Sequence, residues 1–294
     1  MSLTIENNIL MKNGKPFFYL ADTCWSAFTN IKDNDWDYYL DYRKSQGFNT
    51  LQINILPQWD ASATDLCYEP FEVIDGKYNY KKLNLSYFEH ADKMCARAKE
   101  KGFELALVIM WCNFVPDTWA SQFYSKGIMP IDCIDNYINI IHETFTKYEP
   151  LYIISGDTDF NTEQCIEYYV KCAKQIKELA PNCLYTTHIK GRYTYIPDNL
   201  YSYLDLCFYQ SGHNAQNLGM PYLLAEEMAD KYKGKPVINS EPCYEDMGYS
   251  RQMYGRWSKE DIIRAAWMSL LSGASAGITY GAAGIYSWHT TNKG

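Results

Sequence analysis

Eight apolar runs separated by stretches of helical periodicity are the feature that most narrows what this chain can become. The runs cover residues 15–21, 48–56, 103–110, 151–154, 184–187, 204–209, 236–238 and 276–280, and helical patterns occupy 33–47, 84–101, 132–148, 162–179, 221–232 and 258–271. Strands that alternate with helices pair in parallel, because each crossover helix returns the chain to the same end of the sheet. Eight such units close into a (β/α)₈ TIM barrel, an α/β fold of about 250 residues, so residues 1–294 are expected to form a single domain. No helical pattern remains after Trp288. The last helix is therefore missing or replaced: either residues 4–11 cover the seam between the last and first strands, or the chain is a shortened form of a longer one.

In a parallel barrel the ends of the strands, not their middles, meet the ligand. The stretch KPVINSEPCYE (235–245) runs from Val237 and Ile238 to Glu241, and Pro242 stops the ladder directly behind it. LYIISGD delivers Asp157 in the same way at the end of the fourth run, with Gly156 beside it to leave room for an approaching group. Asp22, Trp25, Gln52, Asn54, Trp111, His188, Gln210, His213 and Tyr280 fall at or just beyond other strand ends. Tyr244 and Trp288 join them as substrate-binding candidates. Each has a duller reading: Asp22 as a loop cap, Gln52 and Asn54 as fillers of the barrel interior, the histidines as partners of a carbonyl, Glu241 as the start of a loop. Polar groups at most of eight ends together describe a cup for a polyhydroxylated ligand. Residues 57–84 carry no periodicity, and so long a connection is expected to overhang the site, with Trp59 and Tyr68 as lid or stacking residues.

Composition removes other classes. With 27 Lys and Arg against 35 Asp and Glu, the net charge of −8 offers no basic stripe for nucleic acid. No run of about 18 apolar residues is present to span a membrane. Aromatic residues make up 16% of the chain, including 27 tyrosines and 8 tryptophans, and flat rings with a polar edge suit sugar faces. The ten cysteines show no Cys-x-x-Cys spacing and several sit in apolar runs, which implies reduced thiols in the cytoplasm. The amino terminus has no signal segment, although Met1-Ser2-Leu3 has the form of an expression scar and leaves a removed leader open. No cofactor is expected. His188, His213 and Asp22 are a conceivable zinc set but lack any His-Glu-x-x-His spacing.

Two carboxylates on opposite sides of such a cup have a specific use. Glycoside hydrolysis needs one protonated acid for the departing oxygen and one carboxylate that attacks, or activates water, at the anomeric carbon. Their separation, about 5 to 5.5 Å or about 6.5 to 9.5 Å, distinguishes retention from inversion, and the sequence leaves that open.

The segments FYLADTCW (18–25), QGFNTLQINILPQ (46–58), ISGDT (154–158), FYQSGH (208–213), KPVINSEPCYED (235–246) and ITYGAAGIYSW (278–288) together resemble the catalytic domain of apiosidase-like glycoside hydrolases. This is glycoside hydrolase family 140 and its relatives, a branch of clan-A-like barrels. The resemblance implies Asp157 as general acid/base and Glu241 as nucleophile. It also implies that Asp22, His188, Gln210, His213 and Tyr280 line the subsite for the terminal sugar. Relatives commonly continue into a small β-rich domain that this sequence lacks, and their strand-two loops vary, so apiose itself is not carried over. The expectation is a retaining, exo-acting glycosidase acting on an oligosaccharide or glycoside from a plant or other complex glycan, in an undefined oligomeric state. Two rivals remain: a non-catalytic sugar-binding pseudoenzyme, and a family 5-like endo-β-glucanase or mannanase, which usually shows Asn-Glu where this chain has Gly156-Asp157.

Overall fold

A computed structural model describes residues 3–60, 68–250 and 253–289. The chain opens with an antiparallel meander of β1 (Leu3–Glu6), β2 (Ile9–Lys12) and β3 (Lys15–Pro16). Its turns fall at Asn7-Asn8 and Asn13-Gly14, all four with positive φ, as two-residue hairpins require. Lys12 Nζ reaches Glu104 Oε1 at 2.5 Å, at the start of a central strand, so the meander lies across the amino-terminal mouth of the barrel. The expectation that residues 4–11 would cover the seam is thereby corrected. The run at 15–21 also divides, its first two residues pairing in the meander and the rest entering the barrel.

The barrel unit follows in order: β4 (Tyr19–Thr23), α1 (Ala27–Asn30), α2 (Asp33–Ser45), β5 (Thr50–Asn54), β6 (Phe71–Ile74), β7 (Lys77–Leu83), α3 (Leu85–Glu100), β8 (Glu104–Trp111), α4 (Ile134–Phe145) and β9 (Leu151–Gly156). Then come α5 (Glu163–Leu179), β10 (Leu184–Thr186), α6 (Asp198–Tyr201), β11 (Cys207–Tyr209), α7 (Met220–Lys231), β12 (Val237–Asn239), α8 (Lys259–Leu271) and β13 (Gly277–Tyr280). Eight of the strands form one sheet in the order β10-β9-β8-β5-β4-β13-β12-β11, every neighbouring pair parallel. Its two ends meet where Asp205 N and Leu206 N donate to Tyr185 O at 2.8 and 3.4 Å, giving the nearly closed cylinder of a TIM barrel.

The seam between last and first strands closes by direct pairing, Gly277 opposite Tyr19 through Tyr280 opposite Asp22. A Cβ at Gly277 would lie 2.2 Å from Tyr19 O, so the close approach needs glycine. All eight residues of β8 are buried, as a near-continuous apolar run predicts for a strand covered on both faces. Helix starts follow their local chemistry. Thr162 caps α5 by accepting from Cys165 N, and Ser258 and Asp261 form a reciprocal capping box on α8.

The segment 57–84 is not one lid. β6 and β7 form a hairpin that turns at Asp75-Gly76, and Phe71 and Tyr80 pack on Tyr137 and Phe114 beside the barrel. Tyr68 stacks on His90 of α3 with ring centroids 3.9 Å apart and does not line the cavity at the strand ends. Residues 61–67 of this expected lid lie outside the described residues. The nine described cysteines are buried free thiols, and among the described residues no helix is long and apolar enough to cross a membrane.

Candidate active site

Asp157 and Glu241 leave the ends of β9 and β12 and line the same cavity, of about 310 Å³. Asp157 takes φ +51°, a left-handed backbone that aspartate tolerates better than most residues, so the chain kinks as it leaves the strand. Gln210 Nε2 donates to Asp157 Oδ1 at 2.6 Å, and Trp119 Nε1 donates to the Asp157 carbonyl at 2.8 Å. Glu241 is gripped by two imidazoles: His188 Nε2 lies 2.9 Å from Oε2 and His213 Nε2 lies 2.7 Å from Oε1. An Nε2–H on each ring satisfies both contacts.

Gln210 Nε2 also comes within 3.4 Å of His188 Nε2. Successive contacts of 2.6, 3.4 and 2.9 Å therefore join the two carboxyls, and oxygens of the pair lie within about 9 Å, inside the span over which glycosidase acids straddle a bond.

Their protonation is set in opposite directions. Burial, reinforced by the negative charge of Glu241, holds Asp157 well above the usual carboxylate range, against the opposing pull of Gln210 and Lys190. Burial also acts to raise Glu241, but hydrogen bonds from His188 and His213 outweigh it and bring its pKa down to about 2. One acid keeps its proton where its neighbour has lost its own.

The imidazoles are themselves fixed. His188 Nδ1 lies 2.8 Å from Ser240 Oγ, and its ring sits between Trp25 and Trp111 at centroid distances of 5.4 and 5.5 Å. His213 packs 4.5 Å from the Tyr244 ring, whose hydroxyl accepts from Trp25 Nε1 at 2.9 Å.

A family model described as "Apiosidase-like, catalytic domain" matches residues 5–294. The chain belongs to the apiosidase-like glycoside hydrolases. It is a glycosidase on the clan A fold. A solved structure described as a glycoside hydrolase is 25% identical, with a TM-score of 0.82 over 100% of this chain and 67% of that one. A glycoside hydrolase family 5 structure from Bacteroides vulgatus is 24% identical, with a TM-score of 0.81 over 100% of this chain and 64% of that one. An endo-1,4-β-D-mannanase from Thermotoga petrophila shares the fold at 16% identity, with a TM-score of 0.61 over 90% of this chain and 88% of its own. The chain thus spans about two thirds of the length of the first two. No curated protein matches it.

Of the residues singled out from sequence, the apiosidase-like cavity brings together Trp25, Trp111, Asp157, Gln210, His213, Glu241 and Tyr244. His188 is fully buried and stands behind the cavity wall, against Glu241, Gln210, Trp25 and Trp111. Four strand residues and Trp288 do not line it. Asp22 points outward to α2, where Tyr39 Oη and Arg43 Nε donate to its Oδ2 at 2.7 and 2.5 Å. Gln52 lies inside the barrel beneath the cavity, accepting from Tyr19 Oη and Thr279 Oγ1 and donating to Ser240 O. Asn54 is buried under Gln58, and Tyr280 Oη donates to Glu245 Oε2 on the outer side. Trp288 stands edge-on to Tyr39 of α2. The conceivable zinc set is likewise not assembled, since Asp22 faces away from both histidines. Gly156 makes room for the Trp111 ring rather than for a leaving group: a Cβ there would lie 2.1 Å from Trp111 Cε3.

The cavity also has members that no strand pattern indicated. Gln58, Trp59 and Asp60 come from the start of the strand-two loop, Met247 and Ser250 from the loop after β12, and Tyr286 from beyond β13. Only Trp59 carried a signal, as an aromatic residue in an overhanging loop.

Proposed function

We propose that this glycosidase is retaining and exo-acting, with Glu241 as nucleophile and Asp157 as acid/base, and that its substrate is an oligosaccharide or glycoside of a plant or other complex glycan. The observation that carries it is two acids in one cavity held by different partners, Asp157 by the Gln210 amide and Glu241 by two imidazoles, which bias their protonation in opposite directions. Ionised Glu241 attacks the anomeric carbon while the Asp157 proton passes to the departing oxygen, so the glycosidic C–O bond breaks as the ester bond to Glu241 forms. Esterification removes the Glu241 charge that helps to hold the Asp157 proton, and Asp157 becomes a better base. It then takes a proton from water, whose oxygen displaces Glu241 from the sugar. Asp60 and Tyr286 wall part of the cavity, which supports a terminal sugar over the endo-acting alternative.

A 2-fluoro glycosyl fluoride or dinitrophenyl 2-fluoro glycoside tests the assignment. The expected result is a covalent adduct on the Glu241 peptide, with wild-type hydrolysis giving the product of unchanged anomeric configuration by NMR. Binding of the same sugar without any adduct or turnover would favour the pseudoenzyme, and an inverted product would replace nucleophilic attack by water activation.

A further inference from the structure

A third carboxyl enters the cavity. Contacts run round the wall from Asp157 through Gln210 and His188 to Glu241, then through His213, Tyr244 and Tyr286 to Asp60. The wall closes on itself, since Trp119 Nε1 donates to the Asp157 carbonyl at 2.8 Å and its ring lies 5.2 Å from that of Trp59. Asp60 lies within reach of the Glu241 charge, which adds to burial in raising its carboxyl pKa. The departing oxygen belongs beside Asp157 and the anomeric carbon beside Glu241, and the retained sugar ring is placed toward Asp60. This placement rests on the acid/base and nucleophile assignment above.

Asp60 is equipped to hold that ring. Gln58 Nε2 and Ser287 Oγ donate to its Oδ1 at 2.6 and 3.2 Å, whereas Oδ2 accepts only from Tyr286 Oη, at 3.0 Å, among the described residues. Oδ2 retains capacity for a further donor, and the Tyr286 hydroxyl, whose proton points to Asp60, presents its lone pairs. Two acceptors side by side fit two hydroxyl groups on adjacent carbons. A sugar carboxylate in this place would lie against Asp60 and ionised Glu241, two groups of its own charge.

We infer that Asp60, with Tyr286, is the specificity-determining element for the glycon: it selects a neutral terminal sugar through two adjacent free hydroxyls and refuses uronic acids. The test uses 4-nitrophenyl glycosides of neutral pentoses and hexoses, the matching glucuronide, and monodeoxy versions of whichever neutral glycoside is cleaved best. The wild type should lose about 10- to 100-fold in kcat/KM when one of the two hydroxyls is removed, the range of a hydrogen bond to a charged group. Asp60→Asn and Tyr286→Phe should lose a similar factor on the full sugar, yet be nearly indifferent to the deoxy change at the hydroxyl each one holds. A residue that merely shapes the loop would lower all substrates together and leave the deoxy penalty intact, which would overturn the inference.

Binding of the free monosaccharides, followed by tryptophan emission, supplies a readout that does not need turnover. If the wild type cleaves nothing but binds sugars with an Asp60-dependent preference for the diol, the hydrolase mechanism falls and the glycon assignment stands. An active enzyme that prefers the glucuronide, or whose two variants keep the wild-type preference, removes the glycon assignment alone.

Discussion

Asp22 and Glu241 are both carboxylates at the carboxy-terminal ends of barrel strands, both withdrawn from water, and held in opposite ways. Asp22 meets a full cation, Arg43, whose guanidinium is itself ringed by Tyr39, Tyr42, Phe48 and Tyr280 at 5.3 to 5.9 Å. Burial nevertheless leaves its pKa raised, because desolvation outweighs the pull of Arg43 and Tyr39. Glu241 has no such cation and is lowered to about 2 by two imidazole donors while still bordering open space. The cause is parity along a strand. Tyr19 points into the barrel, where its hydroxyl bonds Gln52, so Asp22, three residues on, points to the helices. An acid on the outer face ties strand to helix; an acid on the inner face is available to a ligand.

Exchanging the two losses should give mirror-image phenotypes, the largest being catalytic. Glu241→Gln should lower kcat by about 10⁴-fold or more while shifting Tm by only a few degrees, measured on an aryl glycoside and by calorimetry. Asp22→Asn should do the reverse. Leaving Arg43 buried without its carboxylate should cost about 3–5 kcal/mol in denaturant unfolding, while kcat of the folded enzyme stays within about threefold. Equal losses of activity in both variants would erase the distinction between shell and cavity.

Asp157→Asn should reduce kcat by about 10²- to 10⁴-fold on substrates with poor leaving groups and much less on dinitrophenyl glycosides. The pH dependence sharpens the assignment. On the proposed roles activity needs Glu241 ionised and Asp157 protonated, so kcat/KM should fall toward acid only near pH 2 and toward alkali above the raised Asp157 value. The alkaline limb should vanish in Asp157→Asn. A smaller effect is expected from His213→Phe: with one N–H donor gone, the Glu241 pKa rises, the acid limb moves to higher pH, and kcat/KM near neutrality falls about 10-fold. Gly156→Ala should show the least specific change, about 1–3 kcal/mol of lost stability as Trp111 is displaced from its seat.

The alternation of strands and helices was legible because apolar runs and periodic stretches differ in length and period. Asp157 and Glu241 were legible because Gly156 and Pro242 punctuate their strand ends. Facing was harder. At Asp22-Thr23 and Thr279-Tyr280 polar residues occupy both faces of the strand end, so the period-two signal is lost there. Gln52 and Asn54, by contrast, alternate with Leu51 and Ile53 and face inward but lie below the cavity. Asp60 and Tyr286 lie in segments with no period at all, and only the folded chain brings residues 226 positions apart into contact. The two hairpins are different, since Asn13-Gly14 and Asp75-Gly76 carry turn chemistry that strand-helix alternation alone does not explain.

The Gln52 side chain also bears on how the molecule comes to be. Its amide nitrogen donates to the carbonyl of Ser240, 188 residues away, at the position just before Glu241. Few neighbours along the polypeptide can fix that backbone in advance, so its geometry waits on one of the most distant closures in the chain. During refolding, helices can be complete while the machinery is still unassembled, and competence should arrive as a late event rather than in proportion to structure gained.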